Sequence, residues 1–163
     1  MHAYATAGWE NFFVAEVGAA AALTGLLFVA VSINLAKVLE NPQLPGRAGE
    51  SILILVGVLA SATLGLIPGQ AGATLGLELL GVTLPAWIFP MMNQRGGRVP
   101  GAPCYWFVTR VVTHQIAALP MVAAAVSLAV GAGGGLYWLA AGTILSFGAA
   151  VLNSWVLLIE IQR

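Results

Sequence analysis

The sequence contains no aspartate, one cysteine and two histidines, and Asp, Glu, Lys and Arg together make up only 7% of it. Each shortage excludes something. The lone Cys104 rules out an intrachain disulfide, a CxxC redox pair and a thiolate metal site. His2 and His114, with no aspartate beside them, are too few for a His/carboxylate metal cluster within one chain. No metal and no other cofactor is expected. An ordinary soluble domain carries roughly 25% charged residues, and this chain falls far below that. Six basic residues balance six acidic ones, so no basic surface recruits nucleic acid and no acidic surface gathers cations in bulk. The N-terminus has neither a basic leading segment nor an A-x-A site, so it does not read as a cleaved signal peptide.

What the sequence has is apolar surface. Hydrophobic residues make up 60% of it, and mean hydropathy is +0.93. A bilayer core about 30 Å thick needs ~20 apolar residues per helix. Five such runs are present, at 12–36, 51–69, 75–92, 105–130 and 136–160. The expected fold is all-α: a single integral membrane domain over 1–163, built as a bundle of five transmembrane helices. The connections 37–50 and 93–103 are rich in Pro, Gly and polar residues and read as exposed turns. Those at 70–74 and 131–135 are short hairpins, which place the second run beside the third and the fourth beside the fifth.

Charge assigns the orientation. Lys37, Arg47, Arg95, Arg98, Arg110 and Arg163 lie in or beside three places: after the first run, after the third, and at the C-terminus. The positive-inside bias puts those places in the cytoplasm, the N-terminus outside and the C-terminus inside. Trp9, Tyr137 and Trp138 then fall at outer ends, and Tyr105, Trp106 and Trp155 at or near inner ends. Tyr and Trp favour the headgroup level, so the aromatics agree with the charges.

Lipid supplies no hydrophobic force between helices, so small-residue faces and interhelical hydrogen bonds must hold the bundle. Gly18, Gly25 and Ser32 recur every seven residues on one face of the first run, flanked by Ala21 and Ala22. Gly142, Ser146, Ala150 and Ser154 recur every four on the fifth. Both faces read first as intrachain packing and second as subunit interfaces. Pro68, Pro85, Pro90 and Pro120 each remove a backbone donor, and Pro120 is expected to kink the fourth run and free the carbonyl of Ile116.

Ionisable groups inside a membrane cost several kcal/mol unless paired or hydrated. Four stand out: Glu16, Glu78, Arg110 and His114. Glu16 and Glu78 each lie about one turn inside from the outer side. Asn34 returns to the face of Glu16, with Thr24 off to one side. Arg110 and His114 are four residues apart and share a helix face. Arg110 lies close enough to the inner surface to snorkel, whereas His114 is deeper and reads as either a hydrogen-bonded packing residue or a proton carrier. No GxSxG elbow, HExxH helix or phosphate-binding glycine loop is present, so an enzyme is not expected.

The stretch Trp9-Glu10-Asn11-Phe12-Phe13-Val14-Ala15-Glu16, running into residues 24–34, resembles the start of a group of small bacterial multipass proteins. The run from Gly135-Leu136-Tyr137-Trp138 through Trp155 to Glu160 is similar to their ends. Some members of that group carry the label "modulator of FtsH protease". The resemblance implies a bacterial inner membrane and transfers no functional residue, because the Bax-inhibitor type of modulator has seven helices and an acidic pair near its C-terminus.

Two functions are compatible with these features. One is a homo-oligomeric pore or conduit for ions or small solutes. Glu16 and Glu78 would then form an acidic outer vestibule, with Thr24, Asn34 and His114 as polar steps further in. Proton coupling through Glu78 and His114 is a variant of it. The other is a non-catalytic accessory subunit that binds another membrane protein, such as a membrane protease, through Gly18/Gly25/Ser32 or Gly142/Ser146/Ala150. Whether Glu16 and Glu78 share a hydrated cavity discriminates between them.

Overall fold

A computed structural model describes residues 3–41, 44–96 and 104–162, without the side chains of 95, 96, 104–106 and 160–162. His2, Arg98 and Arg163 lie outside the described residues, as do the side chains of Arg95, Tyr105 and Trp106. In lipid every backbone N–H and C=O must be satisfied within the chain, so each apolar run becomes a helix. The helices are α1 (Glu10–Ile33), α2 (Leu35–Glu40), α3 (Leu44–Gly65), α4 (Gly72–Gly96), α5 (Cys104–Val130) and α6 (Leu136–Gln162). Among the described residues, five of these six helices, all but the short α2, are long and apolar enough to cross a membrane. The chain is all-α, as its sequence predicts.

Helices α3, α4, α5 and α6 close into a ring in which each packs on the next and α6 returns to α3. Successive members run antiparallel, as their short connections require. α1 stands outside the ring and packs mainly along α3. The difference in burial is large: 17% of the α1 span is buried, against 56% of the α3 span. The main core comprises Phe13, Val58, Leu75, Leu79, Leu128, Leu136 and Leu139, among others. It lies toward the end that carries the N-terminus.

That end is capped by the N-terminal segment. The Leu136 amide donates to the Ala3 carbonyl at 2.8 Å, and the Gly134 amide donates to the Tyr4 hydroxyl at 2.9 Å. Trp9 meets Tyr137 edge-on, with ring centroids 5.3 Å apart. The glycine run explains how the α5–α6 turn fits beneath this cap. Gly131, Gly133, Gly134 and Gly135 all have positive φ, which side chains with a Cβ adopt only under strain. A Cβ at Gly135 would also lie 2.0 Å from the Ala3 carbonyl oxygen.

Three expectations need correction. The segment 37–50 is not an exposed turn: it holds α2 and the first turns of α3, and Arg47, Glu50 and neighbouring Ser51 are buried. The second apolar run does not stay helical to residue 69; α3 ends at Gly65, and Pro68 lies in the following turn. The Gly18/Gly25/Ser32 strip does not pack within the chain. Phe13, Glu16, Ala20 and Leu27 form the buried face of α1, while Gly18, Gly25 and Ser32 are exposed on the opposite side.

Candidate functional site

Three groups of polar side chains lie at different depths in the bundle. The first lies at the end of the ring that holds the start of α3, the end of α4 and the start of α5. Arg110 on α5 donates from Nε to Glu50 Oε2 on α3 at 2.8 Å and from Nη2 to Glu50 Oε1 at 2.5 Å. The two side chains are only 10% and 4% exposed. Gln94 on α4 adds a third donor, Nε2 to Glu50 Oε1 at 3.3 Å. A two-pronged Arg–carboxylate pair is the geometry that best offsets desolvation of both charges. Gly46 makes room for it, since a Cβ there would lie 2.9 Å from Arg110 Nη2. Arg110 therefore does not snorkel to the surface; it turns inward to a carboxylate.

Glu50 is the residue that the sequence reading missed. Its position at the edge of the second run made it look like part of a loop. The signal was present, however. Glu50 precedes the second run by one residue and Arg110 stands five residues into the fourth. Both runs start on the same side, so opposite charges meet at similar depth.

The second group lies one turn deeper, inside the ring. His114 is 2% exposed, and its Nε2 is 3.1 Å from the Trp87 carbonyl oxygen of α4. A carbonyl only accepts, so Nε2 carries the proton. Trp87 is fixed in turn by its Nε1, which donates to Gln115 Oε1 at 2.8 Å. Beyond His114 is a cavity of about 30 Å³ lined by all four ring helices, including Thr83, His114, Met121 and Ser146.

The third group lies toward the capped end. Glu16 is 7% exposed, and its Oε2 has no hydrogen-bond partner among the described residues, while the hydroxyl of Thr143 on α6 donates to the Ala140 carbonyl at 3.0 Å. Glu78 accepts from Gln70 Nε2 in the α3–α4 turn. The two carboxyls lie at the same end, as topology predicts. Neither lines the ring cavity or either of two larger lipid-facing grooves. One groove, about 540 Å³, separates α3 from α4 beside Pro85 and Pro90 and has Glu50 and Asn93 in its wall. The other, about 330 Å³, lies between α1 and α6 and contains Asn34, Ser154 and Trp155.

Thr24 and Asn34 do not join a polar path. The Thr24 hydroxyl donates to the Ala20 carbonyl at 2.7 Å, and Asn34 Nδ2 donates to the Ala30 carbonyl at 2.9 Å, both one turn back on α1. On α6, Gly142, Ser146 and Ala150 are buried. A Cβ at Gly142 would meet the Met121 sulfur at 2.8 Å, so this small-residue face is the seat of α5. Gly18 and Gly25 have nothing within 4 Å of a built Cβ. Of the two small-residue faces, one is used inside the chain and the other is open.

Compared with family models, curated proteins and solved structures, the chain matches none.

Proposed function

We propose that this chain is a non-catalytic subunit of the bacterial inner membrane that works by binding another membrane protein through α1. The observation that carries the reading is the open face of Gly18 and Gly25 on a helix that the rest of the bundle barely covers. Small residues let a second helix approach closely enough for backbone and side-chain contacts to replace lipid. Here that strip points straight away from the α1 residues that pack on the ring. The resemblance noted above supports a membrane protease, or a substrate of one, as the class of partner.

A conduit finds less support. Glu16 and Glu78 line neither the ring cavity nor the two larger grooves, and Glu78 is bonded to Gln70. The ring cavity of about 30 Å³ is the size of one or two water sites rather than of a hydrated ion. Thr24 and Asn34 are satisfied on their own helix.

Affinity capture from native lipid, resolved by mass spectrometry, tests the proposal. A stoichiometric partner should be recovered with the natural chain and lost with Gly25→Leu, while thermal unfolding of the variant in detergent stays unchanged. Recovery of the chain alone as a defined homo-oligomer would replace the accessory reading with self-assembly. Liposome flux above that of empty vesicles, abolished by Glu16→Gln or Glu78→Gln, would restore the conduit.

A further inference from the structure

The ring cavity has walls that do not match an apolar void. Ile54, Val58, Ala117 and Met121 supply aliphatic surface, but His114, Thr83 and Ser146 also line it. All three polar residues are at least nine-tenths buried. His114 Nδ1 and Thr83 Oγ1 have no hydrogen-bond partner among the described residues. The Ser146 hydroxyl reaches only the Ala117 carbonyl, at 3.5 Å, which is beyond the usual range for an O–H donor. An orphaned polar group inside a bundle is costly, and the two orphans and the weakly bonded Ser146 hydroxyl come from three different helices around one space.

Helix packing brings them together. Thr83 sits one turn before Trp87 on α4, so the helix whose carbonyl holds His114 Nε2 also brings Thr83 to the cavity. Ser146 follows Thr143 by three residues on α6, on the buried face that seats α5. The three side chains therefore line the same space from three helices.

We propose that this cavity is a binding site for one ordered water, held by His114 Nδ1, Thr83 Oγ1 and Ser146 Oγ. The volume fits: about 30 Å³, against the roughly 10–15 Å³ that a single water requires. The number of partners fits as well, since buried waters make two to four hydrogen bonds. The chemistry selects water over a cation. With the proton on Nε2, Nδ1 of the neutral ring is an acceptor that needs a donor, while the hydroxyls can give or take a proton. Water both donates and accepts, whereas a metal ion would find no carboxylate in the lining. The site does not depend on the accessory reading, because it concerns the inside of the ring and not the α1 face.

Magic-angle-spinning NMR of the protein in lipid bilayers, with ¹⁵N-labelled histidine, provides the test. His2 is removed from the spectrum by a His2→Gln background substitution. Water-edited magnetisation transfer should reach the His114 ring, and the Nδ1 signal should carry the shift of a hydrogen-bonded imine nitrogen. Thr83→Val keeps the shape and removes one partner. In that variant the transfer should be lost or reduced, and Nδ1 should move toward the value of an unbonded imine. Ser146→Ala should act in the same direction. An Nδ1 signal at the unbonded position in the natural chain, without transfer from water, means a dry cavity and overturns the proposal. A hydrogen-bonded Nδ1 without transfer means a direct contact with Thr83 and overturns it too. Transfer that is unchanged in both variants shows water reaching His114 by another route, and the assigned site is then wrong.

Discussion

Arg110 and Glu50 meet through two parallel hydrogen bonds, 2.8 and 2.5 Å long, between helices that are not adjacent in sequence. Removing one partner and removing both should have opposite consequences. Glu50→Gln strands a buried guanidinium and should destabilise the fold by about 3–5 kcal/mol. Replacing the pair together, Glu50→Leu with Arg110→Met, removes both desolvation costs and should be neutral or stabilising, by up to about 4 kcal/mol. Unfolding in mixed micelles measures both. Glu50→Gln unfolding together with the natural chain would show that the pair contributes nothing.

Much of the architecture was legible in the sequence because the bilayer imposes lengths and composition. The five long helices follow from apolar runs of membrane-spanning length, and the shared end of Glu16 and Glu78 follows from counting crossings. What could not be read was rotation about each helix axis. The strips Gly18/Gly25/Ser32 and Gly142/Ser146/Ala150 look equivalent on paper. Yet one faces lipid and the other seats α5, because nearly every residue of these helices is apolar and the hydrophobic pattern does not say which face is inside. Burial of Arg47 and Glu50 was also hidden. Polar residues beside a Pro-Gly segment look like a loop, and only the arrival of Arg110 from a distant helix makes Glu50 interior.

Glycines of similar sequence context should respond very differently to a single methyl group. At Gly76 a Cβ would lie 2.3 Å from the Ala129 backbone nitrogen and 2.8 Å from its Cα, where α4 and α5 touch backbone to backbone. No side chain can move aside there, so Gly76→Ala should cost about 1–3 kcal/mol or more through overpacking. At Gly18 the same methyl meets nothing. Gly18→Ala should be neutral or slightly stabilising, by about 0.5–1 kcal/mol, because alanine is the better helix former. Thermal unfolding of the two variants side by side checks this. Equal stability would mean that α4 and α5 do not approach as described.

The N-terminal cap should be measurable as local protection. The Gly134 amide has the Tyr4 hydroxyl as its acceptor. Tyr4→Phe removes that acceptor while keeping the ring, at a cost of about 1 kcal/mol. Hydrogen exchange should accelerate in the turn at 131–135 and stay unchanged in the middle of α5. If the turn exchanges at the same rate in both proteins, the cap does not hold it.

Sidedness combines a relationship in the fold with one drawn from charge, and one experiment separates them. Ala5 and Ala132 are both exposed at the capped end, so cysteines at these positions must lie on the same side of the membrane whatever the orientation. The basic residues beside the opposite ends of the helices predict that this side lies outside the cytoplasm. On a Cys104→Ser background, Ala5→Cys and Ala132→Cys should both react with an impermeant maleimide added to intact spheroplasts, and a cysteine at Lys37 should react only after lysis. Labelling of Ala5→Cys and Ala132→Cys only after lysis would reverse the orientation and leave the bundle intact. Labelling of those two from opposite sides would break the bundle itself, because the Ala3–Leu136 hydrogen bond of 2.8 Å cannot form across a bilayer.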